Sequence, residues 1–146
     1  SSSYIYLAMS SWCASKSLDG SAAWLRIQSQ EELGHALKFL KYLEDHGHRA
    51  TLRAIEAPQA EFKSLHEVFE KTLAHEQFIT KSIHELFAAA TAEKDYPTVS
   101  FLKYFIDEQV EEEANASRIL DRLEMAGESK GALLYLDKEL GKRAKA

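Results

Sequence analysis

The chain has 146 residues, enough for one domain with a substantial core, since 45% of them are hydrophobic. Two prolines and six glycines, beside abundant Ala, Leu, Glu and Lys, favour long helices over a sheet. A formal net charge of −5 argues against a nucleic-acid partner and for cations. The single cysteine, Cys13, cannot form an internal disulfide, so a reducing, cytoplasmic setting is expected. No apolar run approaches the ~20 residues of a membrane span, and no signal peptide is visible.

Residues 3 to about 16 are apolar on most sides and lack breakers, which predicts a buried helix that begins abruptly. Leu18-Asp19-Gly20 reads as a turn, with Asp19 or Ser21 as a capping side chain for the next helix. That second helix is expected to end near Asp45, where Gly47 offers a terminating glycine. Its inward stripe is Leu25, Gln28/Ser29, Glu32, His35/Ala36, Phe39 and Tyr42/Leu43. Residues 49–63 contain Pro58 and show no sustained period, so they form a long crossover connection, which lets successive helices run parallel.

Ser64-Leu65-His66-Glu67 has the form of a capping box and opens a third helix that extends to about residue 93. The stripe here is Leu65, Val68/Phe69, Thr72, Glu76, Ile79, Ile83, Leu86 and Ala90. Asp95-Tyr96-Pro97 breaks the chain, and Pro97 suits the first turn of a fourth helix ending at Ala126, before Gly127. Its stripe reads Leu102, Phe105/Ile106, Gln109, Glu112, Ala116, Ile119/Leu120 and Leu123. A short fifth helix covers residues 131 to about 140, and the Lys-rich tail after Gly141 is expected to be disordered. The expected class is all-α, a single four-helix bundle domain over residues 1–146 with a short C-terminal fifth helix.

Three of these stripes are interrupted by polar groups near their midpoints: Glu32 with His35, Glu76, and Gln109 with Glu112. Residues three apart on a helix project about one turn apart from one face, so Glu32 and His35 can grip one ion. A buried carboxylate is costly without a partner, and a metal is one partner that serves. Three carboxylates and an imidazole at a common level could surround two cations, carboxylate suiting oxidised iron and imidazole the divalent ion. Taken singly, each element also has a plainer reading. Glu-x-x-His is common on solvated helix faces, the run Glu111-Glu112-Glu113 reads as an acidic surface, and Tyr6 as a core tyrosine.

The stretches SSYIYLAMSSWC, QEELGHALKF, AHEQFITKSIHEL, DYPTVSFLKYFIDEQVEEE and LLYLDKEL together resemble non-haem prokaryotic ferritins, over essentially the whole chain. That resemblance implies a di-iron ferroxidase centre in a ferritin-like bundle. Glu32 would bridge two irons, His35 would bind the first, Glu76 and Glu112 the second, and Gln109 and Tyr6 would stand beside them. Glu31, Glu108 and Glu111 match positions of a third iron site, with Glu112 leaning toward it. Members of this family resemble one another in forming twenty-four-subunit homo-oligomeric cages that oxidise Fe(II) with oxygen or hydrogen peroxide and store the ferric mineral. Leu33 stands where related haem-binding bacterioferritins carry Met, so haem is not expected. Asn115 stands where a second Glu-x-x-His would need His, which favours the ferritin branch. The pattern also includes a first-helix Glu seven residues before Tyr6, upstream of Ser1. The first helix is therefore expected to be truncated, with impaired oxidation as the alternative reading.

Overall fold

The computed structural model describes residues 1–145, which form five α-helices and a closing 3₁₀ turn, with no strand among them. The helices are α1 (Ser2–Ser15), α2 (Asp19–Asp45), α3 (Leu65–Ala92), α4 (Tyr96–Ala126) and α5 (Lys130–Gly141). Two compact units divide them. Ser1–Lys63 packs with the stretch from Glu128 onward, and Ser64–Gly127 forms the other unit.

In the first unit, α1 and α2 make an antiparallel hairpin. The Ser29 hydroxyl donates to the Ser3 carbonyl at 2.7 Å, and the Ser10 hydroxyl donates to the Ala22 carbonyl at 2.7 Å, so the pairings step in opposite directions along the two helices. Small side chains at these crossings bring the backbones close, and Tyr6, Met9, Trp12, Cys13 and Leu25 fill the buried face. The chain turns between α1 and α2 at Ser17, whose φ is 59°, and the Leu18 amide reaches back to the Cys13 carbonyl at 2.9 Å.

Asp19 and Gly20 lie inside α2, which corrects the expected turn, and neither Asp19 nor Ser21 caps it. The N-cap is Leu18, which supplies no side-chain bond. The capping group comes from α5. Asp137, buried, accepts from the Gly20 amide at 3.2 Å, the Ser21 amide at 2.7 Å and the Ser21 hydroxyl at 2.7 Å. A carboxylate at the positive end of the α2 dipole meets amides that have no partner within their own helix. Gly20 permits the approach, because a Cβ there would run into the Asp137 carbonyl oxygen and lie 2.8 Å from its carbon.

The far end of α2 closes as expected. Gly47 takes φ 77°, and the His48 amide donates to the Leu43 carbonyl at 2.8 Å. Residues 49–61 then carry no helix until Phe62 sets its ring edge-on to Trp12, with centroids 5.7 Å apart. After α5, Lys142–Lys145 form the 3₁₀ turn, where disorder was expected. Two side chains hold it: Lys142 donates to Glu139 at 2.8 Å, and Arg143 reaches α2.

The second unit is the antiparallel pair α3 and α4, as His66 facing Glu124 and Gln109 facing Glu76 show. The Ser64 hydroxyl accepts from the Glu67 amide at 3.1 Å, which confirms the N-terminal cap read from the sequence. Asp95 caps α4 through Thr98, and Pro97 sits in the first turn, where its missing N–H costs nothing. Val68, Phe69, Leu102, Phe105 and Ala116 are buried along these two helices. Leu86, expected in the stripe, is instead half exposed, because the period drifts at that end of α3 and Ile83 and Ala90 take the inward positions.

Candidate metal centre

Glu76 lies midway along α3 and is 1% exposed. It is not an isolated buried charge, since the Gln109 amide nitrogen on α4 donates to its Oε2 at 3.1 Å. The same nitrogen lies 3.1 Å from the Glu76 backbone carbonyl and 3.1 Å from the Thr80 hydroxyl oxygen. That carbonyl also accepts from the Thr80 hydroxyl at 3.0 Å, which ties all three residues together. Gln109 therefore fixes both the main chain and the carboxylate of Glu76. One turn on, Glu112 is buried on the same face of α4. Thr80 was not legible as part of this arrangement, although its place four residues after Glu76 puts it on the same helix face.

In the first unit, Glu32 is buried near the middle of α2, and His35 Nδ1 lies 3.8 Å from Glu32 Oε2. The other oxygen, Oε1, is buried with no hydrogen-bond partner. An orphaned anionic oxygen is expensive in a protein interior, and a metal ion relieves that cost. The donor set suits iron, since carboxylates and an imidazole accept both the divalent and the trivalent ion. Glu32, Glu76 and Glu112 are three buried acids able to serve a metal. Tyr6 is fully buried on α1 in the first unit.

The residues expected at a third iron are placed differently. Glu108 is half-buried and Glu111 exposed on α4. Glu31 is exposed on α2, and its Oε2 accepts from Arg143 at 2.8 Å. Neither Arg143 nor Asp137 carried a sequence signal, because both act across more than a hundred residues of chain. Cys13 is fully buried, and burial, with the nearby Asp137 charge, pushes its thiol up to about 12. It is not a metal-binding thiolate at neutral pH.

The Ferritin family model, described as a ferritin-like domain, matches residues 1–126. A probable bacterial non-heme ferritin-like protein of Haemophilus influenzae is 44% identical over 140 residues, covering 96% of this chain and 85% of that protein. A bacterial non-heme ferritin of Escherichia coli is 44% identical over 139 residues, covering 95% of this chain and 84% of that protein. Among solved structures, an open pore ferritin from the hyperthermophilic archaeon Archaeoglobus fulgidus superposes with a TM-score of 0.94. It is 46% identical and covers 96% of this chain and 86% of that one. The fold is thus the all-α four-helix bundle with a short fifth helix that the sequence led us to expect. Among the described residues no helix is long and apolar enough to cross a membrane.

Proposed function

The chain belongs to the ferritin family, and from that premise we propose that it is an iron-storage subunit whose own side chains hold Fe(II) while oxygen or peroxide oxidises it, before the mineral forms. Glu32 and His35 hold the first iron, with Glu32 shared, and Glu76 and Glu112 hold the second. Gln109 fixes Glu76 in place, and Tyr6 stands by as a neighbour of the pair. Each iron yields one electron, so two irons, with two protons from water, supply what takes oxygen to hydrogen peroxide or hydrogen peroxide to two waters. Carboxylate oxygens stabilise the ferric product more than the ferrous substrate, which draws the reaction forward. Glu31, Glu108 and Glu111 receive a third iron on its way to storage. Copies of the chain assemble into a closed homo-oligomeric cage of twenty-four. No haem takes part, and the setting is the cytoplasm.

The observation that carries this reading is the repeated interruption of apolar helix faces by buried acids, one on each of α2, α3 and α4, in a chain matched by the family over most of its length. The test is the initial rate of Fe(II) oxidation in air at two irons per chain, for the parent and for Glu76→Ala and Glu112→Ala. Loss of a neighbouring hydrogen-bonding residue at a metal typically costs about 10–100-fold, so loss of a ligand should cost at least about tenfold. Parent-like rates in both variants, or no iron uptake by the parent, refute it.

A further inference from the structure

The Gln109 amide nitrogen carries two hydrogens and faces three acceptors. Glu76 Oε2, the Glu76 backbone carbonyl and the Thr80 hydroxyl oxygen each lie 3.1 Å from it. All three acceptors stand on α3 and the donor on α4, within one compact unit. Gln109 is 3% exposed, so a hydrogen left without an acceptor there has little water to turn to. Thr80 completes the arrangement. Its own proton goes to the Glu76 carbonyl at 3.0 Å, which leaves its oxygen lone pairs for a donor. That back-bond alone says nothing of function, since Thr72 and Thr91 on the same helix also donate to the carbonyl four residues earlier. What bears on function is the Gln109 nitrogen set against the Thr80 oxygen. The carbonyl and Oε2 of Glu76 already suffice for two hydrogens, so the Thr80 oxygen is a surplus acceptor.

We propose that Thr80 is a positioning residue that takes over a Gln109 hydrogen when Glu76 turns Oε2 to a cation. The proposal rests on the iron-storage reading, in which Glu76 holds iron, and adds to it the means by which that carboxylate is released. An oxygen that shares its electrons with a divalent metal is a poorer hydrogen-bond acceptor, and a buried amide hydrogen abandoned by it would count against binding. Thr80 offers that hydrogen a place already within reach, while the Glu76 main chain stays held by the other one. Thr80 itself touches no metal and acts through Gln109. Glu76 is thus gripped in the empty protein and surrendered to the ion with no donor left bare.

The test is anaerobic calorimetric titration of Fe(II) into the whole chain, with oligomeric state matched across variants. The absence of oxygen separates binding from oxidation. Parent, Thr80→Val, Thr80→Ser and Gln109→Leu are compared with the double variant Thr80→Val/Gln109→Leu, and the event followed is the one that Glu76→Ala removes. Thr80→Val keeps the shape but not the hydroxyl. It should weaken that event about tenfold, the equivalent of one buried unsatisfied donor. Thr80→Ser should bind as the parent does. With Gln109→Leu no hydrogen needs an acceptor, so adding Thr80→Val should change nothing further. If Thr80→Val folds poorly, Thr80→Ala makes the same comparison. Equal weakening with and without Gln109 marks a mere packing effect and overturns the proposal. Parental affinity in Thr80→Val also overturns it, since Oε2 then stays with Gln109. A parent that binds Fe(II) in no event dependent on Glu76 overturns the iron-storage reading of this acid, and the proposal with it.

Discussion

Replacing Asp137 by Ala should unseat the start of α2 even though residue 137 lies on a different helix. The side chain accepts three hydrogen bonds, two from main-chain amides of the first turn and one from the Ser21 hydroxyl. Loss of a helix cap costs about 0.5–2 kcal/mol, and a buried donor left without an acceptor costs about 1–3 kcal/mol. These costs overlap, because they concern the same amides, and Leu18 supplies no side chain to take over. A net loss of about 3 kcal/mol is the reasonable sum. For a domain of this size, that lowers the melting temperature by about 10 °C. The assay is thermal unfolding followed by helix circular dichroism, with oligomeric state and concentration matched, since assembly adds its own stability. Asp137→Asn, which keeps one carbonyl acceptor, should lose about half as much. If Asp137→Ala melts within about 2 °C of the parent, the carboxylate does not cap α2 and the reasoning fails.

Gly20→Ala tests the same junction from the other side. A methyl group there collides with the Asp137 main chain, which cannot swing away as a side chain could, so α5 must lift. We expect at least as large a fall in stability as for Asp137→Ala, with faster amide exchange over α5. Parental exchange there would refute the close contact. Cys13 gives a pH prediction whose sign follows from its raised thiol. A group that holds its proton more tightly when folded supports the fold below its unfolded value and loses that support as pH rises toward about 12. Stability of the parent should therefore decline from about pH 9 upward, by at most about 1.4 kcal/mol per pH unit from this group. Cys13→Ala should show a flatter slope over the same interval in chemical denaturation, and identical slopes would refute the assignment.

The helix pattern was legible because each of the long helices shows one apolar face to its neighbours, and a 3.6-residue period survives in the sequence as spacing. Glu32, Glu76, Gln109 and Glu112 stood out for the same reason, as polar letters in an apolar row, and all four are buried. Glu31 shows where that approach stops. Its spacing puts it on the solvated side of α2, and nothing local reveals that a guanidinium far along the chain has taken one of its oxygens. Asp137 was hidden differently. Followed by Lys138 and Glu139 in a short helix, it reads as the wet face of α5, and only the folded chain shows that the wet face meets bare amides. The start of α2 was misjudged because Gly20 was read as a sign of chain reversal. Its use here is absence of bulk, which no periodicity encodes.

The burial of Cys13 has a practical side for anyone wishing to decorate this protein. The chain has a single thiol, and that thiol is sealed inside and kept protonated at working pH. Maleimide and iodoacetamide reagents need an accessible thiolate, so in the folded state the natural cysteine is silent to them. A cysteine introduced on an exposed position such as Lys41 or Glu85 then becomes the one reactive handle per chain, without first deleting the native thiol. Dyes, spin labels or cargo could be attached in a fixed stoichiometry. Unwanted reaction at Cys13 would itself report how much of the sample had opened.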